Sequence, residues 1–353
     1  MNAFRRAVAV SAVLLAPFAL YAQNSETTEP SGPVKVIAPQ SLQITTAKGT
    51  GISPLYVSRD WSKPQPDVTR ALIIFHGKLR NADVYYASGK KAVATAKADK
   101  YTIVIAPQFL QAEDANAFHL PPGILRWAGE GWAGGEDAAG PAPISSYTAI
   151  DAILARLANR TLFPNLTEVI VGGHSAGGQV VQRYAVVGRG ETELTKVGVH
   201  VRYVVANPSS YVYFSADRPL ANGGFGPYEG RKCSGYDKWK YGVNDPPPYV
   251  GDISFTTMEA TYAKRDVIYL LGDKDIDPNH PVLDKTCMGE AEGAYRLQRG
   301  TDYFRYMQMR HPVGLTQQLW IVPGVAHDGD GMFNSTCGLA AIFDQGVCTT
   351  QIK

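Results

Sequence analysis

The sequence predicts an α/β fold, a mostly parallel sheet covered by helices on both faces, and three observations carry that prediction. Runs dominated by apolar residues read as strands buried on both faces: Ala71–Phe75, Tyr101–Ala106, Val169–Val171, Val201–Ala206, Asp266–Leu271 and Gln317–Val322. Helical patterns alternate with them, as right-handed crossovers between parallel strands require. Residues able to do chemistry follow the ends of several runs, the edge where such sheets hold their sites.

The chain has 353 residues and no internal repeat, and reads as one large domain over residues 34–353. Ahead of it, residues 1–22 read as a signal peptide: Arg5 and Arg6 form the positive n-region, and an apolar stretch follows to Leu20. That stretch is too short for a retained membrane helix, and nothing comparable follows it. Residues 23–33 are polar and Pro-rich, a flexible lead-in. The formal net charge is +2, and falls to about zero without Arg5 and Arg6. This balance argues against a nucleic-acid partner, which needs a basic patch.

In chain order, Val34–Ile37, Ser41–Thr45 and Pro54–Ser58 read as early strands. The Ala-rich stretch from Ala82 to Lys97 reads as a helix. Gln108 to Pro143 is a long loop rich in Gly, Pro and Trp, long enough to be functional in its own right. Ser145–Leu157 is a helix with Ile150, Ile153, Leu154 and Leu157 on one face. Gln179–Val187 is a second. Residues 207–252 form an irregular, aromatic-rich insertion containing Tyr211, Tyr213, Tyr241 and Tyr249. These rings either line a substrate pocket, together with Trp127 and Trp132, or form the insertion's own core. Ala294–Arg310 and a stretch between Gly338 and Asp344 complete the helices.

Four cysteines, all in the last third, fit an oxidising compartment. Their positions favour Cys337–Cys348 as a short C-terminal loop and Cys233–Cys287 as a tie between the insertion and the main fold. No zinc spacing is present, and no cofactor or metal is expected. Asp273, Asp275, Asp277, Asn279 and Asp284 do alternate like a calcium loop. Pro278, however, stands where that loop's sharp turn needs glycine.

The most informative stretch is Val169 to Gly178, which reads strand, sharp turn, helix, with Ser175 at the apex of Gly-His-Ser-Ala-Gly. Glycines at 173 and 177 leave room for backbone that a strained turn brings close. Asp275 follows a later strand in Gly272-Asp-Lys-Asp275. His327 follows the last in Pro323-Gly-Val-Ala-His327, and His76-Gly77-Lys78 follows Phe75. Serine, acid, histidine, in that order at strand ends, resembles the α/β-hydrolase family over residues 34 to 345.

The resemblance implies Ser175 as nucleophile, Asp275 as acid and His327 as base, with the loop after His76-Gly77 supplying half of an oxyanion hole. The backbone N–H groups of Ala176 and Lys78 would be the donors, with Leu79 the alternative to Lys78. Asp277 is the alternative acid. A serine hydroxyl attacks only when an imidazole removes its proton, and the carboxylate fixes the imidazole's tautomer. The expectation is a secreted or periplasmic serine hydrolase of carboxylic esters, acting on a small or polymer-derived ester with the insertion as a lid. Two competitors remain: a serine peptidase, for which no terminus-binding subsite is identifiable, and a binding protein that keeps the fold without turnover.

Overall fold

The computed structural model describes residues 32–228 and 233–352. The expected signal peptide and all but the last two residues of the lead-in lie outside the described residues. Among the described residues the main sheet has nine strands: β1 (Gln40–Thr46), β2 (Gly49–Val57), β3 (Arg70–Phe75), β4 (Thr102–Pro107), β5 (Glu168–His174), β6 (His200–Ala206), β7 (Asp266–Gly272), β8 (Gln318–Val322) and β9 (Gln351–Ile352). Their spatial order is β1-β2-β4-β3-β5-β6-β7-β8-β9. From β4 to β8 every neighbouring pair is parallel, while β1–β2, β2–β4 and β8–β9 are antiparallel.

The unbroken apolar runs are explained by what covers them. Along β3, Ala71, Ile73 and Phe75 join one hydrophobic cluster, whereas Leu72 and Ile74 join another. Period-2 alternation therefore sends successive residues to two buried faces. The first face packs under α2 (Ser146–Leu157), α3 (Ala176–Val187), α4 (Phe255–Tyr262) and α5 (Arg296–Arg310). The second lies under α1 (Ala82–Thr95) and α6 (Thr336–Phe343). Three of these helices start on serine caps: Ser145 Oγ accepts from Tyr147 N at 3.1 Å, Ser254 Oγ from Thr257 N at 3.3 Å, and Ser335 Oγ from Gly338 N at 2.9 Å.

Parallel pairing aligns the strand ends that matter. Phe75 is opposite Gly173, His174 opposite Ala206, Ala206 opposite Leu270, and Gly272 opposite Val322. The segments leaving β3, β5, β7 and β8 therefore emerge side by side.

Several local expectations are revised. Val34–Ile37 is not a strand. The polar groups around it bond to side chains instead: Val34 N donates to Asp114 Oδ1 at 2.8 Å, and Ala38 N to Gln108 Oε1 at 2.8 Å. The 108–143 stretch is more ordered than a plain loop. It holds a helix at Ala112–Ala117 and a tight helical turn at Gly131–Gly134, anchored by a buried Arg80–Asp114 ion pair. Gly190–Lys196 and Phe255–Tyr262 are helices that the hydrophobic pattern did not signal.

The described residues of 207–252 are largely irregular, with one small ribbon among them pairing Asp217–Pro219 to Phe225–Pro227. Tyr211 and Tyr213 are fully buried and pack on Tyr303 of α5 at 4.6 and 5.2 Å between ring centres. Trp127 and Trp132 are buried as well, and both pack on Phe109. These aromatics are core, joined to the main cluster. Both expected disulfides are present, Cys233–Cys287 and Cys337–Cys348.

Candidate active site

Ser175 sits between β5 and α3 with φ 59° and ψ −123°, a conformation that non-glycine residues rarely hold. The neighbouring glycines make it possible. A Cβ at Gly173 would lie 2.3 Å from the Gly177 carbonyl oxygen, and one at Gly177 would lie 2.4 Å from the Phe75 carbonyl oxygen. Ser175 N donates to Ala206 O at 3.0 Å, tying the turn to the end of β6. The first amides of α3 then face the serine with the positive end of the helix dipole.

The structure brings Ser175, His327 and Asp275 together. Ser175 Oγ lies 3.0 Å from His327 Nε2, and His327 Nδ1 lies 2.8 Å from Asp275 Oδ2. A carboxylate can only accept, so Nδ1 carries the proton and Nε2 is free to accept from the serine hydroxyl. All three side chains are buried. The alternative acid, Asp277, is exposed and accepts from Asn279 N instead. The alternating carboxylates do not converge. Asp273 accepts from Gly324 N, and Asp284 accepts from Tyr241 and Thr286. Among the described residues no three His, Cys, Asp or Glu side chains are grouped as metal ligands.

Two further histidines flank His327. His174, on β5, lies 4.4 Å away between ring centres, and His280 presents its ring edge to face at 4.9 Å. Burial, then the charges of Arg296 and His280, hold the His327 pKa well below that of an ordinary imidazole. His174 is lowered in the same way, by burial first and then by His327; its Nδ1 lies 3.0 Å from the Tyr85 hydroxyl.

On the other side of the serine, His76 is locked as a neutral ring. Its Nδ1 donates to Gly77 O at 2.8 Å, and its Nε2 accepts from Phe109 N at 3.0 Å. Burial drives its pKa down to about 4. The end of β3 passes close to the serine turn, where His76 O would lie 2.7 Å from a Cβ at Gly177, and Gly77-Lys78 follows directly. The Lys78 side chain points outward and pairs with Glu130 at 3.1 Å.

Sequence reasoning missed two arginines. Arg296 bonds the free oxygen of Asp275, with Nη1 to Oδ1 at 3.3 Å. Arg183, one turn beyond Gln179 on α3, is fully buried and donates to Ala133 O at 2.9 Å, Lys240 O at 3.3 Å, Gln179 Oε1 at 2.7 Å and Ser210 Oγ at 2.8 Å. A signal for Arg296 existed. Residues 296, 299, 300, 303, 304 and 307 fall on the buried stripe of α5, and two of them are arginines. Charge on a buried stripe needs a partner, so it points to a site.

No protein-family model and no curated protein sequence matches this chain. Solved structures do match. A poly(aspartic acid) hydrolase-1 from Sphingomonas sp. KT-1 is 23% identical with a TM-score of 0.57, the match covering 85% of this chain and 96% of that one. LpqC of Bordetella parapertussis, a poly(3-hydroxybutyrate) depolymerase, is 20% identical with a TM-score of 0.58, over 86% of this chain and 90% of that one. With the strand order above, these matches define the class: the chain has the α/β-hydrolase fold.

Proposed function

We propose that the protein is an exported serine hydrolase that cleaves carboxylic esters through an acyl-enzyme. The observation that carries this reading is the hydrogen-bonded chain from Ser175 through His327 to Asp275. In this mechanism His327 takes the Ser175 proton as Oγ attacks the ester carbonyl. The oxyanion is held by the N–H groups of Ala176 and Lys78. His327 returns the proton to the departing alcohol, and water repeats the cycle on the acyl group. Asp275 holds the ring and steadies the imidazolium. The geometry needs no cofactor for these steps. A non-catalytic binding protein would have no use for a serine held in a strained turn against an imidazole.

The substrate class we propose is a polymer-derived ester, since both solved neighbours carry polymer substrates in their names. Poly(aspartic acid) is linked by amides, which keeps amide cleavage as the second reading. Export is supported by the two disulfides and by the arginine-then-apolar pattern of residues 1–22. Among the described residues no helix is long and apolar enough to cross a membrane. Residues 207–252 are proposed as a cover over the site, fastened by Cys233–Cys287.

The test is fluorophosphonate labelling of the mature protein with peptide mapping, then a panel of p-nitrophenyl esters, 3-hydroxybutyrate oligomers and aspartate oligomers. Label on Ser175 with ester turnover supports the reading. Amide turnover alone moves it to the second reading, and an unlabelled, inactive protein overturns it.

A further inference from the structure

Gln179 stands one turn beyond Ser175 on α3, with its N–H donating to Ser175 O at 3.0 Å. Its side-chain amide is held more firmly than packing alone requires. Oε1 accepts from Arg183 Nη2 at 2.7 Å and from Ser210 Oγ at 3.1 Å. Arg183 is itself fixed, donating to Ser210 Oγ at 2.8 Å and to the main-chain carbonyls of Ala133 and Lys240. A guanidinium can only donate, so the atom facing it is the amide oxygen and the other arm of the amide is the nitrogen. Segments at 133, 210 and 240 thus converge, through one guanidinium, on the orientation of one amide.

That amide nitrogen has no acceptor among the described residues, although Gln179 as a whole is only 6% exposed. It is not sealed within protein either, unlike the orphaned Nε1 of Trp132, so it opens onto a cleft. Its direction follows from the plane of the amide. Oε1 faces Arg183, one turn further along the helix, and Nε2 on the opposite arm therefore faces back toward the start of α3 at Ser175. Side chains one turn apart have their Cβ atoms about 5–6 Å from each other. A donor set that far from the serine addresses the acyl chain beyond the scissile carbonyl, whose own oxygen is assigned above to the first amide of α3.

We propose that Gln179 is a specificity-determining residue whose Nε2 donates to a second carbonyl oxygen on the acyl side of the substrate, that of the next ester unit, so that the site favours oligomeric acyl groups over plain ones of the same size. This rests on the hydrolase reading above and narrows its substrate class. A carbonyl oxygen accepts and cannot donate, which complements an amide whose own oxygen is already engaged. An acyl chain that covers Nε2 without offering an oxygen leaves the donor unpaired, and an unmade hydrogen bond costs more than a made one contributes. Holding the amide in place beforehand spares the substrate the cost of ordering it.

The experiment compares kcat/KM for p-nitrophenyl 3-acetoxybutyrate and p-nitrophenyl 3-ethoxybutyrate, which differ by a single carbonyl oxygen, each divided by its rate with hydroxide. The wild-type protein should favour the acetoxy ester about tenfold. Gln179→Glu keeps an oxygen for Arg183 and Ser210, so the attachment survives, and turns an acceptor toward the substrate carbonyl in place of the donor. The preference should then fall by about tenfold or more. Any effect of the added charge on His327 enters both rates and cancels in the ratio. Gln179→Met, of similar length and without a donor, should lose the preference as well. A wild-type protein with no preference overturns the proposal without any variant. So does a folded Gln179→Glu protein that keeps the preference, which would make Gln179 a packing residue whose nitrogen is met by water. Absence of turnover of either ester by the wild-type protein is a different result: it overturns the hydrolase reading, and this proposal falls with it.

Discussion

The two arms that meet at His327 are built from different materials. The nucleophile arm, so called for the role proposed for Ser175, is a backbone construction. Ser175 owes its position to glycines at 173 and 177 and to carbonyl oxygens that leave no room for a Cβ. The acid arm is a side-chain construction, in which Asp275 is held by Arg296 and the surrounding segments are tied together by Cys233–Cys287. Hard-sphere contacts are short-ranged and insensitive to solvent, whereas ion pairs and crosslinks respond to pH and redox state. One site therefore has a rigid half and a conditional half.

That contrast can be broken chemically at either arm. Ser175→Ala removes the proposed attacking atom and should cost about 10³-fold or more in kcat, on the order seen when any member of a cooperating triad is lost. Asp275→Asn should cost about as much while leaving the serine turn intact. An amide nitrogen facing Nδ1 would favour the wrong tautomer. Fluorophosphonate labelling rates on both folded variants check this, and Asp275→Asn with near wild-type labelling would mean that the acid arm is dispensable.

The next largest effects concern stability. Cys233–Cys287 spans 54 residues and Cys337–Cys348 spans 11. Loop-closure entropy then assigns them about 4 and about 3 kcal/mol. Cys233→Ser/Cys287→Ser should lower the denaturation midpoint more than Cys337→Ser/Cys348→Ser. It should also impair hydrolysis of bulky esters more than of p-nitrophenyl acetate. Equal effects on both substrates would detach residues 207–252 from substrate access.

Acid should weaken the nucleophile arm from beneath. The His76 pKa lies at about 4 in the folded chain, below the ordinary 6.5. The unfolded chain therefore takes up a proton below pH 6.5 that the folded chain refuses until pH 4, so stability falls across that window as pH drops. Protonation would also remove the acceptor that Phe109 N uses. The expected loss is roughly 3 kcal/mol. Urea denaturation at intervals across the window should show it, and His76→Gln should make the dependence shallower, leaving the part that the equally buried His174 and His327 contribute.

The smallest predicted change is Gly177→Ala. Its Cβ must displace backbone at Phe75 and His76, for a cost of about 1–3 kcal/mol. Because the displaced segment carries Lys78, kcat should fall with little change in KM. A stable, fully active Gly177→Ala protein would show that the glycine is incidental.

The same difference in materials governs what could be read in the sequence. The sheet was legible because both faces are covered, which leaves unbroken apolar runs such as Ala71–Phe75. The turn at Ser175 was legible because close backbone approach leaves glycines as its written trace. His327 and Asp275 followed from their places after strands. The insertion's tyrosines stayed ambiguous between pocket and core, since an aromatic ring serves either and only its partners, here Tyr303 and Tyr306 of α5, decide. Val34–Ile37 has strand-like residues, yet the amides of Val34 and of the adjacent Ala38 go to Asp114 and Gln108, about 80 and 70 residues distant in the chain. Arg296 was illegible as a partner of Asp275 because an arginine's long side chain lets it meet its partner from another element, with no fixed spacing to recognise.

Arg183 has a consequence of another kind. Two of the groups it grips, at Ala133 and Lys240, are main-chain carbonyls, which every amino acid supplies. A fastener that reads main chain is indifferent to the identity of what it fastens. At position 240, half-buried at the surface, the side chain can be exchanged without removing an atom that the guanidinium holds. The segments at 133 and 240 are therefore free to vary in side chain while keeping their attachment to the helix that begins at Ser175. In a saturation library, tolerance at 240 and intolerance at 183 would be the imprint of that arrangement.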